Sequence, residues 1–174
     1  NWALYCENYL EGLHIPFVHR TTLGGALDQD AYTTDPFDYS SLQLGVASSG
    51  EHTFDLPDGH PDAGTDVAAF YFWLFPNLML NFYPWGLSVN IVRPLGPTRT
   101  KVSFRYFVGD ESKRDAGAGA GLDRVELEDE EIVEQVQQGV ESRLYDRGRY
   151  SPSGEVGTHH FHRLLAEFMF EDEP

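Results

Sequence analysis

Cysteine is nearly absent from this chain: Cys6 is the only one in 174 residues. One thiol excludes an internal disulfide, an all-cysteine zinc site and a cysteine-ligated iron–sulfur cluster held by this chain alone. Cations are scarce too. Twelve Lys and Arg stand against 28 Asp and Glu, a formal charge of −16. That balance argues against nucleic-acid binding through phosphate neutralisation. No apolar run approaches the roughly 18 residues of a membrane helix. The first residues contain neither a basic nor an apolar signal region, so no signal peptide is expected and the expected compartment is the cytoplasm. What is present is 41% hydrophobic and 14% aromatic residues. This suits one globular domain over residues 1–174, with enough length for a sizeable core. Asn1-Trp2 enters a helical pattern with no lead-in, as expected for the later part of a longer chain.

The first twenty residues read as a helix, with Tyr5, Tyr9, Leu10 and Leu13 near helical spacing. Residues 21–66 are polar and rich in Gly, Pro and Asp, predicting long loops and one strand near Leu42 to Val46. Loops of that length commonly serve a site or an interface. Strand patterns follow at Val67 to Phe75, Leu78 to Tyr83, Leu87 to Val92 and Thr100 to Val108, at hairpin spacing. Five to seven antiparallel strands are expected, one face covered. Asp110 to Leu122 alternates Gly and Ala and reads as a mobile linker. A helix is predicted from Glu128 to Tyr145, with Val133, Val136, Val140 and Leu144 as its apolar stripe. Another is predicted from His159 to Phe170. The fold class is α+β, an antiparallel sheet wrapped around a long C-terminal helix.

Two groups of residues point to metal chemistry. In Glu11-Gly-Leu-His14-Ile-Pro-Phe-Val-His19, a regular helix would hold the two imidazoles roughly 140° apart. Pro16 withholds a hydrogen bond and crowds the carbonyl of Gly12, so the helix opens there and both rings can reach one side. The spacing alone equally suits two ordinary histidines at a helix end. In Glu126-Leu-Glu128-Asp129-Glu130-Glu131, most of the carboxylates suit a solvated helix N-terminus. Asp129 shares a face with Val133, Val136 and Val140 and is directed inward, where a carboxylate needs a partner or a metal. Two imidazoles and one carboxylate are the ligand set of non-haem Fe(II) oxygenases, and zinc takes the same set. His159, His160 and His162 open an amphipathic helix facing different ways. His52 and His60 are expected at the surface, and Cys6 in the core.

Asn1-Trp2, Glu7-Asn8-Tyr9-Leu10-Glu11-Gly12-Leu13-His14 and His19 together resemble the iron-binding stretch of Rieske-type ring-hydroxylating oxygenase alpha subunits. The resemblance continues through Pro76-Asn77, Glu128-Asp129, Glu134, Val136-Gln137, Gly148-Arg149-Tyr150 and His159 to Leu165. The pattern is nearer to members acting on choline, betaine or carnitine than to the naphthalene and biphenyl dioxygenases. It implies the C-terminal catalytic domain, of helix-grip (START-like) fold, with mononuclear Fe(II) on His14, His19 and Asp129. It implies that Glu11 links the iron to the Rieske histidine of a neighbouring subunit, and that Asn8 lies near the metal. Electrons would come from a [2Fe–2S] Rieske cluster on a missing domain or partner chain, fed by a ferredoxin or reductase, in a homotrimer. The reaction implied is mono- or dioxygenation of an aromatic or quaternary ammonium compound with O2.

Trp73, Phe75, Phe82, Tyr83 and Trp85 are candidates for the substrate pocket, where aromatic faces would hold a quaternary amine through cation–π contact. They serve equally as sheet core. The alternative function is a non-redox helix-grip module enclosing a hydrophobic ligand. A zinc hydrolase is a third reading, with only Glu11 as a possible base.

Overall fold

The computed structural model describes residues 1–170. Six antiparallel strands form one sheet in sequence order. They are β1 (Thr33–Pro36), β2 (Ser40–Val46), β3 (Val67–Leu74), β4 (Leu78–Tyr83), β5 (Gly86–Gly96) and β6 (Arg99–Val108). The expected α+β architecture and strand number are both found. β1 is the strand the sequence hid, because Thr33–Pro36 is short, edge-placed and mostly exposed. Burial along β2, β4 and β5 alternates with period two, so one face of the sheet is covered.

Among the described residues four α-helices accompany the sheet: α1 (Trp2–Tyr9), α2 (Ile15–Val18), α3 (Leu122–Val140) and α4 (Val156–Phe170). The first twenty residues are therefore not one opened helix. α1 stops at Leu10, and α2 is a single new turn. Pro16 lies in the first turn of α2, where its missing N–H is not needed, so it starts this turn rather than breaking a longer one. α1 packs against β5 and β6 and also against α3 and α4.

α3 begins six residues before the predicted start and ends at Val140 instead of Tyr145. Gly121, with φ of 61°, supplies the left-handed residue at its N-terminus. The inward face is consequently Leu122, Val125, Glu126, Asp129 and Val133, while Val136 is 43% and Leu144 87% exposed. The glycine–alanine stretch before it is a packed turn rather than a tether. Ala118 and Gly119 are buried, and the Trp85 indole N–H donates to the Gly119 carbonyl at 3.1 Å. A Cβ on Gly119 would run into the Trp85 and Tyr83 rings, so the glycine is needed for this approach.

Two apolar clusters make the core. One joins Ile15, Ala69, Tyr71, Tyr83, Trp85 and Leu122. The other joins Tyr5, Cys6, Leu10, Trp73, Met79 and Phe161. Cys6 is wholly buried, as expected of a small apolar side chain.

Candidate metal centre and its cavity

His14 and His19 flank the two ends of the single turn α2. Their rings lie 5.1 Å apart at 75° to one another. α3 brings Asp129 to the same point across 110 residues of sequence. Asp129 Oδ1 lies 3.1 Å from His19 Nε2 and 3.5 Å from His14 Nε2. One ligand atom from each of the three residues falls within 4.8 Å of the other two. Among the described residues this is the group of histidine and carboxylate side chains that could hold a metal ion.

The remaining nitrogens carry the second half of the argument. His14 Nδ1 is 2.5 Å from Glu11 Oε1, and His19 Nδ1 is 2.9 Å from Glu128 Oε2. A carboxylate accepting from Nδ1–H leaves the Nε2 lone pair free for a metal and fixes the ring. Asn8 Nδ2 donates to Asp129 Oδ1 at 2.7 Å and orients the carboxylate. Glu11 is held by the backbone N–H groups of Leu13 and His14. Glu128 also accepts from Thr22 Oγ1 at 2.8 Å and Arg124 Nε at 3.2 Å. Gly24 donates its N–H to the His19 carbonyl at 2.8 Å and fastens the end of α2.

Burial opposes charge on both rings. The hydrogen bonds to Asp129 and Glu11 outweigh it at His14 and raise that imidazole to about 9. Those to Asp129 and Glu128 raise His19. Burial would also lift Asp129, yet the two imidazoles outweigh it and bring its carboxyl to about 2. The cluster is thus a proton-sharing set that a divalent cation can replace. Two neutral imidazoles with one carboxylate, each ring backed by its own carboxylate, fit an octahedral metal with open positions.

The centre opens into a cavity with walls that include Tyr5, Tyr9, Tyr32, Tyr71, Tyr83 and Glu126. Of the five aromatics expected there, Tyr83 lines it and the other four do not. Trp73 is fully buried in the second cluster, edge-on to Phe161 at 5.3 Å. Phe75 stacks on Phe168 at 4.8 Å. Phe82, one residue from Tyr83, takes the opposite face of the sheet and packs on Phe72. Trp85 stacks behind Tyr83 at 5.4 Å and supports it from outside the cavity. Glu11 and Asn8 both reach the cavity.

Sequence reasoning missed two carboxylates. Glu128 belongs to the run expected to be solvated, yet its Oε2 reaches back to His19 Nδ1. Glu126 was counted with the solvated run, but it is 8% exposed. Its Oε2 accepts from Tyr5 OH at 2.8 Å and its Oε1 from Asn90 Nδ2 at 3.1 Å. Burial pushes its carboxyl up to about 8. A helix starting at Leu122 was the missing signal, since it puts Glu126 one turn before Asp129. The C-terminal histidines serve packing and surface contacts. His160 lies edge-on to Trp73, and His162 bridges Tyr150 and Glu7. His52 is exposed, whereas His60 is half-buried against Phe70.

The chain matches, over residues 1–171, the family described as ring hydroxylating alpha subunit (catalytic domain). It belongs to that family. It is 40% identical to the chloroplastic choline monooxygenase of Arabidopsis thaliana over 95% of this chain and 38% of that protein. It is 32% identical to the carnitine monooxygenase oxygenase subunit of Escherichia coli K12, over 99% of this chain and 47% of that one. The chain spans less than half the length of either relative. A solved quaternary ammonium Rieske monooxygenase, described for carnitine oxidation by gut microbiota and inter-subunit electron transfer, superposes with a TM-score of 0.69. It is 25% identical, over 97% of this chain and 47% of its own. Naphthalene 1,2-dioxygenase from Rhodococcus shares the fold at a TM-score of 0.66 and 15% identity, over 100% of this chain and 54% of its own. The α+β sheet with its helices is therefore the catalytic-domain fold of ring-hydroxylating alpha subunits, of the helix-grip type. No described helix is long and apolar enough to cross a membrane.

Proposed function

We propose that this chain is the catalytic domain of a Rieske-type non-haem iron monooxygenase acting on a small quaternary ammonium compound. His14, His19 and Asp129 hold mononuclear Fe(II). The observation that carries this is the convergence of two Nε2 atoms and one Oδ1 at the mouth of a tyrosine-lined cavity. The names of the relatives supply the substrate class. Bound iron supplies the activation of O2.

The chain's own residues do the rest. Glu11 and Glu128 hold the two imidazoles in the tautomer that presents Nε2, and Asn8 holds Asp129. The tyrosine wall excludes water and offers ring faces to a cation. Glu11, hydrogen-bonded to a ligand histidine, is the outward link toward the Rieske histidine of a neighbouring subunit in a trimer. Electrons reach that cluster from a ferredoxin or reductase. With one cysteine, the chain itself cannot build the cluster, so alone it does not turn over. A ligand-binding module without redox chemistry would have no use for two histidines each braced by its own carboxylate.

The test is oxygenation by the full-length protein, with Fe(II), reductase and O2, over a panel of quaternary amines and aromatic hydrocarbons. Product from a quaternary amine, with none from the isolated chain, is expected. Turnover of the aromatics alone, or steady turnover by the isolated chain, would contradict the reading.

A further inference from the structure

Glu126 is a buried carboxylate in the wall of the same cavity as the metal centre, one helical turn from Asp129. Both of its oxygens already accept hydrogen bonds, from the neutral Tyr5 hydroxyl and the neutral Asn90 amide. Two donors aimed at two oxygens is the arrangement that supports the ionised form. What is missing is a positive side chain in direct contact with it. No Lys or Arg lines the cavity among the described residues. The other carboxylates there, Glu11 and Asp129, are engaged by the histidines. A buried anion without a cation is costly, and the rise of its carboxyl to about 8 reflects that cost.

The rest of the wall says what kind of cation would fit. Tyr71 lies at the centre of a ring cluster, with Tyr9, Tyr32 and Tyr83 at 6.5, 6.4 and 5.9 Å. Such ring faces attract a large, weakly hydrated ammonium. Gln43 is fixed in orientation by its Nε2, which donates to the Tyr9 carbonyl at 2.7 Å. Its Oε1 is buried without a protein partner and is an acceptor. A carboxylate on the ligand would meet Glu126 in a wall that carries no Lys or Arg among the described residues.

Resting on the quaternary ammonium reading above, we infer that Glu126 is the counter-charge for the substrate's ammonium group and that the cavity selects a net-cationic amine over a zwitterionic one. Glu126 is then a specificity residue for the family's reaction in this chain. It acts by charge on the bound cation, separately from the metal ligands.

The experiment is calorimetric titration of the full-length, Fe(II)-loaded protein under anaerobic conditions. The probes are choline, its neutral isostere with carbon in place of nitrogen, L-carnitine and glycine betaine. Choline should bind tighter than each of the other three by at least about tenfold. Glu126→Gln should lose at least about tenfold for choline and leave the neutral isostere unchanged. Carnitine or betaine binding as tightly as choline would overturn the inference while leaving the substrate class intact. So would an isostere that equals choline, or a Gln variant that binds choline like the parent. If no quaternary amine binds, the substrate class falls and the inference with it. Should the variant fail to fold, the four probes on the parent protein still decide.

Discussion

Glu128 and His19 are hydrogen-bonded across 109 residues of sequence, with Glu128 Oε2 at 2.9 Å from His19 Nδ1. His19 is 1% exposed, so its Nδ1 has this carboxylate in place of solvent. The bond sets which nitrogen carries the proton and therefore which one faces Asp129. Glu128→Ala should weaken Fe(II) affinity about 10- to 100-fold with the fold retained, measured by metal titration and circular dichroism. Unchanged affinity would show that Thr22 and Arg124, rather than His19, are what this carboxylate serves.

Glu11 makes the equivalent contact with His14, but from the part-exposed side of the centre. Glu11→Gln should keep the iron and sharply slow product formation in the full-length protein. Single-turnover reduction kinetics separate the outcomes. Loss of iron would make Glu11 a ligand, and unchanged turnover would make it only a brace.

Glu126 gives a pH signature without any ligand. Its folded pKa, about 8, stands above the ordinary 4.5. The folded state therefore prefers the protonated acid. The stabilisation is complete below about pH 4.5 and is lost as pH rises through about 8, on the order of 5 kcal/mol in total. Glu126→Gln has no such titration. The melting temperature of the variant should gain on that of the parent between pH 5 and pH 9 in substrate-free protein. A constant difference across that range would place the carboxyl in contact with solvent.

Gly119 lies under the Tyr83 and Trp85 rings with no room for a Cβ. Gly119→Ala should destabilise the protein by about 1–3 kcal/mol in urea unfolding and weaken substrate binding with it, since Tyr83 forms part of the cavity wall. Wild-type stability would mean the preceding turn moves freely.

The sheet was legible because β3 to β6 are separated by turns containing Pro or Gly and are rich in β-branched and aromatic residues. His14, His19 and Asp129 were legible as candidate ligands because the histidines lie close in sequence and Asp129 falls on an inward helix face, and the structure brings the three together. The position of α3 was not. Its first turn follows a glycine–alanine run that has the composition of a linker, and only its packing on Tyr83 and Trp85 makes it ordered structure. Starting the helix at Glu128 hid Leu122, Val125 and Glu126 on the inward face. The cavity tyrosines were equally hidden, since Tyr9, Tyr32 and Tyr71 come from α1, a loop and β3, and a run of aromatics near residue 80 drew attention instead. Of that run, alternation turns Phe82 to the other face, Trp73 shares the face of Tyr71 but lies in the second cluster, and Tyr83 alone lines the cavity.

The central claim is that His14, His19 and Asp129 form a mononuclear iron site. X-ray absorption and metal analysis of the anaerobically purified full-length protein test it most directly, for the parent and for Asp129→Ala. The account predicts mononuclear Fe(II) with nitrogen and oxygen ligands in the parent. It predicts loss of that iron alone in the variant, with the absorption of the Rieske cluster kept. Mononuclear iron retained at full occupancy and affinity in Asp129→Ala would contradict it.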